Sequence, residues 1–136
     1  MNQGGIKQGG SRTAPTQLNI FDELSMDSDS QFVFSLIQRR RGRGHAISVA
    51  DISDATGIPP RVVRDIVKHL IERHAIRIGS ALGNPPGYYM IETMEEAEQN
   101  EKTLRQLGIS ILTRAAVLKK LTVAEYMKEI QGELGL

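Results

Sequence analysis

Apolar and polar positions along residues 30–134 recur with a period that predicts amphipathic helices, interrupted once by two short strand-like runs. The first helix is predicted from about Ser30, the candidate N-cap, with apolar residues at 32, 33, 36 and 37 on one face. Two glycines within "RRRGRGH" are expected to end this helix, and residues 46–48 are expected to form a short edge strand.

Two helices joined by a tight turn are predicted next. Ser48 is the candidate N-cap of the first, and Gly57 ends it, because glycine adopts a positive φ without a Cβ penalty. Pro60 suits the first turn of the second helix, where its missing N–H is not needed. The residues predicted to face inward are Val49, Ile52 and Ala55 in the first helix and Val63, Ile66, Val67, Leu70 and Ile71 in the second.

Beyond His74 the pattern changes to two strand-like runs, residues 76–78 and 88–91. The segment between them, "GSALGNPPG", is rich in Gly, Asn and Pro, which is typical of a hairpin with a long tip. The fold class predicted from this order is mainly α with a small β hairpin and a long C-terminal helix.

The C-terminal part, residues 93–136, is predicted to form two helices that begin with the capping boxes Thr93/Glu96 and Thr122/Glu125. The first is expected to reach about Lys120. Its apolar residues approximate a 3.5-residue seam, which favours dimerisation; the alternative is that the helix folds back and caps its own domain. The candidate dimerisation residues are Leu104, Leu107, Ile111 and Leu118, with Arg114 interrupting the seam.

The first 29 residues are predicted to be a flexible tail, because residues 1–16 hold too few apolar side chains to offset the entropy of ordering. A short apolar motif occupies residues 17–24. It resembles the peptide with which many bacterial replication and repair proteins bind the sliding clamp, and the resemblance rests on Gln17, Leu18, Ile20 and Phe21. The alternative is that this motif docks on the protein's own core or on a dimer mate.

The composition of the chain excludes several kinds of site. The sequence contains no cysteine, which excludes disulfides, thiolate-ligated metals and a cysteine nucleophile within these 136 residues. It has no apolar run of about 18 residues, so neither a membrane span nor a secretory signal is predicted, and a cytoplasmic location is expected. His69 and His74 are expected on different helix faces, so no metal site is predicted. No catalytic constellation or phosphate-binding loop stands out, and neither enzyme activity nor a cofactor is predicted.

Charge is distributed unevenly along the chain. Residues 38–80 hold nine basic and four acidic side chains, a net charge of +5, whereas residues 1–37 and 81–136 each carry −2. The positive charge therefore coincides with the two helices joined by the tight turn, as a nucleic-acid-binding surface requires.

Residues 47–98 resemble the winged helix-turn-helix superfamily, especially the biotin-repressor-type domain and the iron–sulfur-sensing regulators. Their sequence is "ISVADISDATGIPPRVVRDIVKHLIERHAIRIGSALGNPPGYYMIETMEEAE". The shared features are a "GI" turn before the recognition helix and a "GY" dipeptide after the wing. The resemblance implies a winged helix over residues 30–92 that binds duplex DNA through the helix 60–73. The cluster cysteines are missing, and Pro59 stands where many relatives have a capping Ser or Thr.

Candidate DNA contacts follow from this resemblance and from the charge pattern. Three cations lie on the exposed face of the predicted recognition helix, 60–73. Four arginines precede the helix that begins after Ser48. The wing tip offers one amide side chain and no cation. These candidates are Arg61, Arg64, Lys68, Arg39, Arg40, Arg41, Arg43 and Asn84. Three functions are compatible with the sequence: a dimeric transcriptional regulator, a replication or mobile-element accessory protein that binds DNA and a sliding clamp, and a winged helix used only for protein contacts.

Overall fold

The computed structural model describes residues 26–135. This part of the chain is mainly helical with one antiparallel two-stranded sheet, which confirms the predicted class at that level. The helices are α1 Ser28–Gln38, α2 Val49–Thr56, α3 Pro60–His74, α4 Met94–Leu118 and α5 Val123–Leu134, and the strands are β1 Ile78–Ala81 and β2 Gly87–Met90. The chain divides into two compact units at the boundary between Ile91 and Glu92. Among the described residues, no helix combines the length and apolar character that crossing a membrane requires.

Helix α1 begins two residues earlier than predicted. Asp27 is the N-cap, and its carboxylate accepts a hydrogen bond from the Ser30 backbone N–H at 2.8 Å. Ser30 is therefore in the first turn, where it is buried, and the prediction that it caps the helix is wrong. Either residue type can cap a helix, and here the aspartate upstream takes the role.

The α2–turn–α3 segment folds as predicted. The Ser48 hydroxyl accepts from the Asp51 N–H at 3.0 Å, and Gly57 ends α2 in the left-handed region at φ +77°. Helix α3 then begins at Pro60, and Pro59 at its N-cap makes no side-chain capping bond. Three residues thus redirect the chain from one helix into the next.

The core of the first unit lies between α1, α2 and α3 and the sheet. Its largest fully buried aliphatic residues are Val33, Ile37, Ile52, Val63, Val67 and Leu70. Two of the residues predicted to face inward, Ala55 and Ile71, are exposed. For Ile71 the reason is angular: the buried residues Val63, Val67 and Leu70 span an arc of about 60° centred near Val63, and Ile71 lies about 80° from Val63, beyond the edge of that arc.

The sheet pairs Ile78 with Met90 and Ala81 with Gly87. The predicted first strand, 76–78, is displaced, because the Ile78 N–H bonds to the Ile76 carbonyl at 2.9 Å and pairing with β2 starts only there. The predicted edge strand at 46–48 is reduced to a single bridge, in which Ile47 and Tyr88 exchange two backbone hydrogen bonds of 2.9 Å.

The second unit is a helical hairpin of α4 and α5. Both predicted capping boxes are present, Thr93 with Glu96 and Thr122 with Glu125. Ala116 is buried, and Lys119 Nζ lies 2.9 Å from Glu129 Oε1, which joins the end of α4 to α5.

Candidate nucleic-acid interface

The exposed face of α3 carries a row of three cations, Arg61, Arg64 and Lys68, which we call the basic stripe. Their spacing of three and four residues places them on one side of the helix, and all three side chains are exposed. The buried residues Val63 and Val67 lie on the other side. The stripe thus faces solvent because the opposite face of α3 is committed to the core.

The stripe occupies the N-terminal two-thirds of α3. No acidic residue lies in the first turn of the helix. Since Pro59 supplies no cap, the positive end of the helix dipole is left to act together with Arg61. Asp65, four residues after Arg61, is exposed on the same side and opposes the stripe, and Glu72, one turn beyond Lys68, ends the row of cations. The face is therefore most favourable to anions near the start of the helix.

Tyr88 lies on β2, and its phenol is half-buried. Burial raises the pKa of Tyr88, while the charge of Arg64 on α3 acts in the opposite direction.

The four arginines at 39, 40, 41 and 43, which we call the basic turn, are fixed to the sheet through their backbone. The Met90 N–H donates to the Arg40 carbonyl at 2.6 Å, and the Gly42 N–H donates to the Met90 carbonyl at 2.9 Å. All four arginine side chains are exposed. The backbone of the basic turn is thus held against β2, while its arginine side chains face solvent.

The hairpin tip, residues 82–86, meets one member of the basic turn. A Cβ built at Gly83 would lie 3.3 Å from Arg43 Nη2, so this guanidinium reaches the tip. Leu82 at the tip is 96% exposed, and Asn84 is also exposed. The sequence showed that the tip has no cation of its own, but not that Arg43 supplies one.

The two histidines of α3 are close together, contrary to prediction. The ring centroids of His69 and His74 are 5.3 Å apart with an edge-to-face geometry. The prediction considered only the angle between positions five residues apart, whereas the rings reach each other across adjacent turns at the helix end. Within the described part of the chain, no three His, Asp or Glu side chains form a group able to hold a metal ion.

The His74 imidazole is in an unusual environment. Its Nδ1 is buried without a hydrogen-bond partner. The pKa of His74 is lowered by burial, and further by the neighbouring His69 and Arg73. The pKa of Asp27 at the start of α1 is lowered mainly by hydrogen bonds from Ser30, with His69 acting in the same direction.

The other predicted site residues lie elsewhere. Gln17, Leu18, Ile20 and Phe21 fall outside the described residues, so the clamp-binding peptide stays a prediction. The candidate dimerisation residues of α4 are all exposed within one copy of the chain: Leu104, Leu107, Ile111 and Leu118.

Comparison with known proteins gave no match to any family model, to any curated protein or to any solved structure.

Proposed function

We propose that the unit before Glu92 is a winged helix-turn-helix that binds double-stranded DNA, and that the chain is a dimeric transcriptional regulator. The order of elements supports this assignment: α1, the bridge at Ile47, α2, a glycine turn, α3 and a β hairpin. In this proposal α3 is the recognition helix and the β1–β2 hairpin is the wing.

The basic stripe is the observation on which the proposal rests. A recognition helix enters the major groove with the residues of its N-terminal half toward the base edges. Arg61 and Arg64 lie in that half and can bond bidentately to guanine or to phosphate oxygens, and Lys68 one turn later suits phosphate. The inner face of the same helix is fully used by the core, so binding DNA costs no refolding of α3.

The basic turn and the wing extend the same surface in this proposal. The backbone of the basic turn is bonded to β2, so its side chains and the hairpin tip hold a fixed spacing. Phosphate contacts from such a scaffold position the recognition helix without reading sequence. Arg43 beside Gly83 is suited to the narrow minor groove, where arginine is favoured by the negative potential.

Fluorescence anisotropy with labelled duplex DNA at two salt concentrations tests the proposal. Replacing Arg61 and Arg64 together by Ala should weaken binding at least about tenfold. The matched control is the double variant Arg73→Ala with Arg77→Ala, which loses the same charge at exposed positions outside the basic stripe. Equal losses for the two variants would mean that α3 does not present this face to DNA. Absence of binding by the native chain at low salt would overturn the proposal and favour a protein-contact role.

The regulatory role is tested by selecting bound duplexes from a random pool. A two-fold dimer should enrich an inverted repeat, because each half-site faces one recognition helix. If binding occurs without enrichment of any sequence, the chain binds DNA but does not regulate by sequence, and a replication or mobile-element accessory role takes precedence.

A further inference from the structure

Helix α4 carries most of the exposed large hydrophobic side chains of the described chain. The described residues include twelve such side chains, and seven of them lie on α4. Four of the seven, Leu104, Leu107, Ile111 and Leu118, fall within an arc of about 60° on the helix and form what we call the α4 seam. Their exposed fractions range from 49% at Ile111 to 85% at Leu118. The α4 seam is therefore a contiguous exposed apolar surface of the kind that marks a protein–protein contact.

A second apolar line on α4 behaves differently. Ala116 is buried and Leu112 is half-buried, whereas Ile109 in the same line is 50% exposed. The α4–α5 contact and the Lys119–Glu129 ion pair are at this C-terminal end. The hairpin thus already uses one side of α4, and the α4 seam is a separate face.

The charges along α4 indicate what covers the α4 seam. Before Leu107 the helix carries four acidic residues and two basic ones, a net charge of −2, and between Leu107 and Leu121 every charged residue is basic, for a net charge of +3. The acidic residues are Glu95, Glu96, Glu98 and Glu101, and the late basic residues are Arg114, Lys119 and Lys120. A helix with opposite charges at its two ends is complementary to a second copy of itself running in the opposite direction.

Arg114 separates the two possible orientations. It lies three residues after Ile111 and four before Leu118, so it occupies a position in line with the α4 seam. In a parallel pair, Arg114 would face the partner's Arg114 across the seam, and like charges there are destabilising. In an antiparallel pair, Arg114 comes level with the acidic part of the other helix.

We infer that α4 pairs with α4 of a second copy in antiparallel orientation, with the two helices crossing between Leu107 and Gly108. This register places Leu104 opposite the partner's Ile111. It also brings Glu101, which forms an exposed ion pair with Arg105 of its own helix, level with the partner's Arg114. Gly108 at the crossing has no heavy atom within 4 Å of a built Cβ, which leaves room for Leu107 of the partner subunit. The inference rests on the dimer proposed above and not on DNA binding.

Site-directed crosslinking tests this register in the full chain, which has no cysteine of its own. Leu104→Cys and Ile111→Cys are prepared separately, one of them labelled with ¹⁵N, then mixed and mildly oxidised. The antiparallel register predicts mainly the mixed disulfide, because residue 104 of one helix faces residue 111 of the other. Residues 104 of the two helices would be about 10 Å apart along the axis, too far for a disulfide.

Two further variants complete the experiment. Leu107→Cys lies at the crossing and should crosslink to itself, while Gln106→Cys, exposed on the opposite side of α4, should not. Self-crosslinking of Leu104→Cys and of Ile111→Cys to the level of the mixed product would establish a parallel pair and overturn the inference while keeping the dimer. No crosslink at position 107, together with a monomer in sedimentation analysis of the native chain, would overturn the inference and the dimer alike. Neither outcome would affect a positive DNA-binding result.

Discussion

Arg43 extends its guanidinium to Gly83, so closely that a Cβ built at Gly83 would lie 3.3 Å from Arg43 Nη2. The two residues are 40 positions apart in sequence and belong to the basic turn and the hairpin tip. The tip has no lysine or arginine of its own. The pair therefore gives the hairpin a positive charge that its own sequence lacks.

Replacing Arg43 by Ala should weaken DNA binding and reduce the dependence of affinity on salt. Loss of one phosphate contact lowers the slope of log affinity against log salt by about one. The measurement is a salt titration of binding by anisotropy. Arg73→Ala, which removes the same charge from the C-terminal end of α3, is the control and should leave the slope unchanged. A slope unaffected in Arg43→Ala would remove the hairpin tip from the interface.

Gly87→Ala should destabilise the first unit by at least about 2 kcal/mol. Gly87 has φ +117°, which side chains rarely adopt, and a Cβ there would overlap the backbone carbonyl of Ile47. Chemical denaturation of the full chain measures the free energy of unfolding. Gly44→Ala is the matched control, because a Cβ at Gly44 meets no atom within 4 Å. A similar loss in both variants would contradict the close approach of β2 to Ile47.

Ala75→Gly should stabilise the same unit by roughly 0.5–1 kcal/mol. Ala75 ends α3 in the left-handed region at φ +55°, where its Cβ is unfavourable, and glycine relieves that strain at a smaller entropic cost. Thermal unfolding would show a raised midpoint. The control, Ala55→Gly on the exposed side of α2, should lower the midpoint instead, because that residue has helical φ and ψ.

His74 should make the protein less stable in mild acid. Burial, His69 and Arg73 lower its pKa in the folded state below the ordinary value of 6.5, so the unfolded chain binds the proton more readily. The contribution of neutral His74 to the free energy of unfolding is fully present above pH 6.5, and it is lost as the pH falls through the folded-state pKa of His74. The thermal midpoint should therefore fall between pH 7.5 and 5.5.

Replacement of His74 by Gln tests the source of this pH dependence. The decline in the thermal midpoint between pH 7.5 and 5.5 should be smaller in His74→Gln than in the native chain. The same replacement at the exposed His45 should preserve the decline. If His74→Gln retains all of it, another group is responsible.

The features that could be predicted from the sequence depend on residues within one turn of each other. Ser48, Gly57 and the Thr93/Glu96 capping box act over three or four positions, and the structure confirms each of them. The basic stripe could also be predicted from the sequence, because the apolar positions of a helix identify its buried side and therefore its exposed side. Where two neighbours could serve the same role, as Asp27 and Ser30 could, the local pattern did not decide between them.

The remaining features depend on distant pairing. The bonds between Arg40 and Met90, and the approach of Arg43 to Gly83, join segments 40 or more residues apart. No periodicity encodes such contacts, since they follow from the packing of the sheet against the helices. The proximity of His69 and His74 was missed because an angular projection ignores how far a side chain reaches.

Strand β2 is hydrogen-bonded along both edges, to β1 on one side and to the segment around Arg40 and Ile47 on the other. In the described part of the chain, β1 with its four residues is therefore the edge strand of the sheet. An edge this short gives a passing chain few backbone groups to pair with, which limits strand addition and the aggregation that follows from it. The same basic segment that carries the arginines thus also protects the sheet against unwanted association in a crowded solution.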